Sequence, residues 1–286
     1  MAKIVGGLAV SHVPAIGKAI AEHRQEEAYW KPFFDGMGPA RAWLEQAKPD
    51  VVVVLYNDHG LNFFLDKMPT FAVGAAPEYR SADEGWGLPV LPPFAGDPDL
   101  SWHIIESLSN EEFDLTTCQE MLVDHGFAVP MQLFWPGGPP AVRTVPIAIN
   151  TVQHPIPSPA RCYKLGQAIG RAIESYPADI RVAVIATGGL SHQLDGTRAG
   201  FINREFDELC LDKLVNDPEA LTHYSSHDLV ALAGSQGVEV LMWIAMAGAM
   251  TGEVRQIQRS YHIPISNTAA ALLVLENGPR ARKAAA

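Results

Sequence analysis

Three histidines stand just past apolar runs that lie far apart in the chain: His12 after residues 4–10, His59 after Val51–Tyr56 and His192 after residues 182–186. Neutral imidazole is the commonest metal ligand and the side chain best suited to moving protons near neutral pH. If the three runs are strands of an open α/β sheet, their carboxyl ends are where ligands gather, and the three rings are candidates for one site. Glu239 opens a further apolar segment, flanked by Val238 and by Val240, Leu241, Met242 and Trp243. One reading is a carboxylate at the positive end of a helix, worth about 0.3–1 kcal/mol. The other is a carboxylate drawn into the core, where it is costly unless paired and where a bound cation would relieve the cost. Two strand-end histidines and a glutamate make the inventory of a facial triad, which favours non-haem Fe(II) chemistry with O2. Hydrolytic zinc sites use the same set, and spacing does not choose between the metals.

Other residues compete for a role. Asp124-His125-Gly126 echoes Asp58-His59-Gly60, again in a polar turn where the aspartate can simply bond local backbone. His192 closes the segment Thr187-Gly188-Gly189-Leu190-Ser191-His192, whose paired glycines permit close backbone approach to a ligand. The segment has neither GxGxxG nor a Walker lysine, so it is not a phosphate loop. No G-x-S-x-G elbow surrounds Ser191, which argues against a serine hydrolase. His223 and His227 have metal-compatible spacing, but their Ser, Thr and Asp neighbours read as a solvated helix start. His23, His103, His154 and His262 receive no role.

The elements that must position these groups follow from periodicity. Ala40, Trp43, Leu44 and Ala47 share one helical face and lead into the β-branched run Val51–Tyr56; Cys162, Leu165, Ile169, Ile173 and Tyr176 do the same ahead of the run at 181–186. Such helix-then-strand units, with strands apolar throughout, predict an α/β fold whose mostly parallel sheet is covered on both faces. Helices are expected over 199–214 and 237–250, and further strands over Arg143–Ile149, 254–259 and 270–275. Residues 77–100, rich in Pro and Gly and without period, read as a long ordered loop, either a wall or lid over a site or a plain surface excursion. Residues 278–286 read as a flexible basic tail. With no linker or repeat in its 286 residues, the chain is expected to be a single catalytic domain, 1–286.

Composition narrows the partners. With 48% hydrophobic and 19% charged residues the chain is an ordinary globular one, and a net charge of -11 argues against nucleic acid. Three scattered cysteines without a CxxC spacing suggest neither disulfides nor a thiolate zinc site, and a cytoplasmic location is expected. No apolar stretch reaches the eighteen or so residues of a membrane span.

Taken together, Ser11-His12-Val13-Pro14, Asn57-Asp58-His59-Gly60, Asp124-His125-Gly126, Gly188-Gly189-Leu190-Ser191-His192 and Glu239 resemble the class III extradiol ring-cleavage dioxygenases, in the family's order and over residues 4–275. Within them the chain looks most like the catalytic β subunits of protocatechuate 4,5-dioxygenases. The resemblance implies a three-layer α/β/α sandwich around a mixed sheet. It also implies Fe(II) held by His12, His59 and Glu239, His192 as acid/base, and His125 either supporting the metal ligands from behind or touching the substrate. Ser266 and Asn267 fall where that family binds the substrate carboxylate. The implied reaction opens the ring of protocatechuate at the 4,5 bond with O2, giving 4-carboxy-2-hydroxymuconate semialdehyde, and the implied partner is a small α subunit in a hetero-oligomer. Gallate and 3-O-methylgallate dioxygenases share these metal residues. A zinc-dependent relative and a non-catalytic binding protein of the same fold are the further alternatives; a binding protein has no need of His192.

Overall fold

The computed structural model describes residues 1–85, 87–137 and 142–278. Its strands are β1 (Lys3–Val10), β2 (Val51–Tyr56), β3 (Phe71–Gly74), β4 (Glu78–Ser81), β5 (Phe94–Ala95), β6 (Thr116–Cys118), β7 (Leu122–Val123), β8 (Arg143–Ile149), β9 (Arg181–Thr187), β10 (Val254–Ile265) and β11 (Thr268–Asn277). Eight of them form one sheet in the order β10-β11-β1-β9-β2-β8-β3-β6. The central four, β1, β9, β2 and β8, are mutually parallel, while β11, β10 and β3 join antiparallel. The central strands are almost wholly buried, which explains why their sequences are apolar without alternation.

Alternate side chains of each strand serve opposite layers. Val51, Val53 and Leu55 of β2 face a core shared with α4 (Pro98–Asn110), α6 (Pro159–Ser175), α7 (Arg204–Asn216), α8 (Ser226–Ala233) and α9 (Val240–Ala249). Val52, Val54 and Tyr56 face the other core, built with α1 (Pro14–Ala21), α2 (Lys31–Asp35), α3 (Met37–Ala47) and α5 (His125–Phe134). The result is the expected α/β/α sandwich. The wholly buried α9 lies directly against α6: a Cβ on Gly166 would sit 1.8 Å from the Ala245 carbonyl oxygen, and one on Gly248 would sit 2.4 Å from that of Tyr163. This contact anchors the helix that Glu239 precedes.

Several elements differ from expectation. Residues 77–100 are not one loop: they hold β4 and β5, which with β7 form a small second sheet, and α4 begins at Pro98 with Asp97 as its cap. The helix expected over 199–214 starts only at Arg204, because Asn203 caps it by accepting from the Phe206 amide. The segment 237–250 begins with a 3-10 turn, Gly237–Glu239, before α9. The two carboxyl-terminal strands are longer than expected and form one hairpin, turned by Ser266 and Asn267 with φ of 50° and 61°, the positive values a two-residue hairpin turn demands. Of the expected tail, residues 279–286 lie outside the described residues.

Candidate metal centre

Because β1, β9 and β2 are adjacent and parallel, their carboxyl ends open on the same edge of the sheet, and His12, His192 and His59 arrive there together. His125 enters from the first turn of α5, and Glu239 from the residue before α9. The Glu239 carboxylate does not cap its helix; it turns toward the rings. Its Oε1 lies 3.4 Å from His12 Nε2 and 3.6 Å from His59 Nε2, and its Oε2 lies 3.8 Å from His192 Nε2. Ligating atoms of His12, His59 and His125 all fall within 4.8 Å of one another. The His59 and His125 rings lie with centroids 4.1 Å apart, tilted by 30°.

Each imidazole is tethered at its far nitrogen. His59 Nδ1 lies 2.9 Å from Asp124 Oδ2, His125 Nδ1 2.8 Å from Glu84 Oε1, His192 Nδ1 2.8 Å from the Leu190 carbonyl and His12 Nδ1 3.0 Å from Thr187 Oγ1. Carbonyls and carboxylates only accept, so in His59, His125 and His192 a proton sits on Nδ1 and Nε2 is the atom left to present a lone pair to a cation. Partners of this kind orient metal-binding histidines. Backbone supports them: Asp124 Oδ2 also accepts from the His59 amide, and its Oδ1 accepts from Gly126 as the cap of α5. Both readings of that aspartate therefore hold at once.

Gly188 lets Glu239 approach. It has φ +92°, and a Cβ there would lie 2.7 Å from Glu239 Oε2. The carboxylate accepts from the Gly189 amide at 2.8 Å and from Asn57 Nδ2 at 3.2 Å. Asn57 Nδ2 also lies 3.0 Å from His59 Nε2, so the amide sits against the same pair of groups that would share a cation. Among the described residues no lysine or arginine pairs with this buried carboxylate. The donor set therefore fits a divalent cation, and two histidines with one carboxylate fit Fe(II).

Electrostatics in the metal-free protein agree. Burial opposes charge on Glu239, yet His12, His59 and His192 hold its carboxyl well below the usual carboxylate range. Burial likewise disfavours a charged His59, but Asp124 and Glu239 outweigh it and push its pKa up to about 10. His125 moves the other way, lowered by burial and by its neighbour His59. A cation on these atoms would take the place of protons.

The rings face a cavity of about 300 Å3 that Val13, Pro14, Leu194, Gln236, Ser266 and Thr268 complete. Asn267 is not among its lining residues and lies instead beside Gly200. A second cavity, of about 370 Å3, shares His59, Leu194, Gln236 and Glu239 with the first. His223 and His227 stay outside, where Ser225 and Asp228 form the capping box of α8. Sequence reasoning missed Thr187, Asn57, Glu84 and Gln236. Thr187 and Asn57 sit inside the strand-end segments and could have been weighed there, whereas Glu84 arrives from the irregular stretch after β4 with no local signal. Ser191 is no nucleophile: its hydroxyl donates to Asp207 Oδ2 at 2.6 Å.

Fold and donor set together define the class, an α/β/α sandwich whose parallel strands deliver a histidine and carboxylate cluster fit for a non-haem Fe(II) centre. Residues 6–272 match the family described as the catalytic LigB subunit of aromatic ring-opening dioxygenase, and the chain belongs to that family. It is similar to a gallate dioxygenase from Pseudomonas putida, 46% identical over 206 residues that cover 70% of this chain and 59% of that protein. The chain thus spans somewhat over half the length of that relative. It is also similar to a 2,3-dihydroxyphenylpropionate/2,3-dihydroxicinnamic acid 1,2-dioxygenase from a Rhodococcus species, 30% identical over 287 residues covering 85% of this chain and 88% of that protein. The crystal structure of an uncharacterized protein, JW3007, from Escherichia coli K12 shares the fold, with a TM-score of 0.60 at 15% identity over 96% of this chain and 100% of that one. The narrower likeness expected, to protocatechuate 4,5-dioxygenase, gives way to gallate dioxygenase as the better-supported relative.

Proposed function

We propose that the protein opens the ring of a trihydroxylated or dihydroxylated benzoic acid with O2, using Fe(II) held by His12, His59 and Glu239, and that gallate is its substrate ahead of protocatechuate. The observation that carries this reading is the convergence of Nε2 atoms on one buried carboxylate, each ring tethered from behind. The 46% identity to a gallate dioxygenase supports the substrate. When bound, Fe(II) supplies the meeting point for a catecholate and O2 and the path for electrons between them.

The chain's own residues do the rest. His192, its Nε2 lone pair facing the cavity, takes the proton from a phenolic hydroxyl and later returns it as an acid. His125, held by Glu84, stands against His59 and offers its Nε2 to the ring's oxygens. Ser266, which lines the cavity, meets the carboxylate, with Asn267 next to it in the same turn. No lysine or arginine lines this cavity among the described residues, so the carboxylate is met by neutral donors. Leu194 and Val152, which line the two cavities, are 58% and 50% exposed, apolar surface that a small α subunit would cover in a hetero-oligomer. We assign residues 1–286 to one catalytic domain and place it in the cytoplasm, where three unpaired cysteines stay reduced. No described helix is long and apolar enough to cross a membrane.

The test is anaerobic reconstitution with Fe(II), then oxygen uptake with gallate, protocatechuate and 2,3-dihydroxyphenylpropionate in parallel. Uptake fastest with gallate is the expected result. Preference for another catechol would keep the reaction and change the substrate; no uptake with any of them would sink the oxygenase reading and leave a zinc enzyme or a binding protein.

A further inference from the structure

The carboxylate of Asp207, in the first turn of α7, is buried with no lysine or arginine ion pair among the described residues. It belongs to none of the tethers described above, yet all its partners lead to the site. Oδ1 accepts from the Ser191 amide at 2.8 Å, and Oδ2 accepts from the Ser191 hydroxyl at 2.6 Å and from the Tyr261 hydroxyl at 2.7 Å. The Ser191 hydroxyl in turn accepts from the Asn203 amide at 2.9 Å. A buried carboxylate without a cation is costly to keep, and an apolar side chain would fill the same space. Ser191 immediately precedes His192, and Tyr261 lies on β10, the strand that runs into the Ser266 turn. One carboxylate therefore grips both the segment carrying the acid/base and the strand running into the Ser266 turn, two neighbours that line the cavity together and are also joined by backbone, the Ala269 amide donating to the Ser191 carbonyl at 3.1 Å.

We propose that Asp207, acting through Ser191 and Tyr261, is a positioning residue that sets the distance between His192 and the Ser266 wall. The inference rests on the reading of His192 as the acid/base. Positioning of this sort governs turnover more than binding, because a displacement of about 1 Å at a reacting group costs about 10²-fold in rate.

The experiment uses the full iron-loaded chain with gallate and compares Asp207→Asn, Tyr261→Phe and His192→Ala, singly and combined. Asp207→Asn should keep its iron and lose roughly 10- to 100-fold in kcat with KM changed far less. Tyr261→Phe, which removes one oxygen and leaves the fold intact, should show a smaller loss of the same kind. In the His192→Ala background neither should lower kcat further, since both act through that ring. A loss that persists in that background, or unchanged kcat in both single variants, would overturn the inference. In the metal-free protein the His192 imidazole resonances should shift in Asp207→Asn while those of His12 stay in place; unmoved His192 resonances would also overturn it. That readout needs no turnover, so an inactive wild-type chain, which would count against the oxygenase reading, leaves the positioning claim decidable by itself.

Discussion

Gly188→Ala is the most demanding test of how Glu239 reaches the histidines. An ideal Cβ at this position would lie 2.7 Å from Glu239 Oε2, 2.8 Å from its Cβ and 3.0 Å from its Cδ, on a backbone with φ +92°. Restoring ordinary contact at about 3.4 Å requires a movement of about 0.7 Å at the carboxylate, well beyond the roughly 0.2 Å tolerance of metal-ligand bonds. The backbone cannot easily yield, because Trp243 Nε1 on α9 donates to the Gly188 carbonyl at 3.0 Å and ties loop and helix together. We expect iron affinity to fall at least about 10- to 100-fold, and stability to fall by about 1–3 kcal/mol from strain at positive φ. Gly189→Ala is the control. Its φ is +60°, but its nearest neighbour, the Val240 amide nitrogen, would be 3.5 Å from the new carbon, so it should carry strain without displacing Glu239. Competition against a chelator measures iron binding, and thermal unfolding of the metal-free variants measures strain. Wild-type affinity in Gly188→Ala, or an equal loss in both variants, would refute the reasoning.

Three further outcomes are expected. Asp124→Asn removes the acceptor of His59 Nδ1 while keeping an oxygen for the Gly126 amide; iron affinity should fall about 10- to 100-fold, and Asp124→Ala should lose a further ~1 kcal/mol of stability as the cap goes, both read by chelator titration and denaturation. Because His59 in the metal-free protein is pushed up to about 10, loading iron at pH 7.5 should release a proton, visible as buffer-dependent heat in calorimetry, and affinity should rise with pH; heats independent of buffer would contradict this. The sign for stability is opposite: a raised imidazole pKa stabilises the metal-free fold below about pH 6.5, and that contribution should fade as pH climbs toward 10, lowering its melting temperature. Gly166→Ala would place a carbon 1.8 Å from the Ala245 carbonyl oxygen, so α6 and α9 must part; a loss of at least about 1–3 kcal/mol should appear in urea unfolding, and an unchanged midpoint would count against the close crossing.

What the sequence disclosed, and what it hid, divides along local and distant causes. The runs at 4–10, 51–56 and 182–186 could be read as strands because burial on both faces of a parallel sheet leaves a continuous apolar signature, and the buried α9 announced itself in the same way. The convergence of His12, His59, His192 and Glu239 was legible because each follows or opens such a run. Their tethers were not. Glu84 reaches His125 across 41 residues and Asp207 reaches Ser191 across 16, and no periodicity records such pairings. The hairpin turn was missed because Ser266-Asn267 lacks the glycine that usually marks positive φ. Residues 77–100 looked structureless because two- and four-residue strands are too short to show alternation.

The place of β1 in the sheet bears on how the protein is made. Its two neighbours are β9 and β11, so the strand that leaves the ribosome early must wait for partners synthesised more than 170 residues later. At about 5–20 residues per second the gap before β11 is complete lasts roughly 13–55 s, during which an apolar strand has one edge or both unpaired. Contacts this distant in sequence also slow folding itself. The nascent chain is therefore a natural client for chaperones, and since Glu239 emerges 180 residues after His59, the cluster they form with His12 can close on a cation only after that stretch has been made.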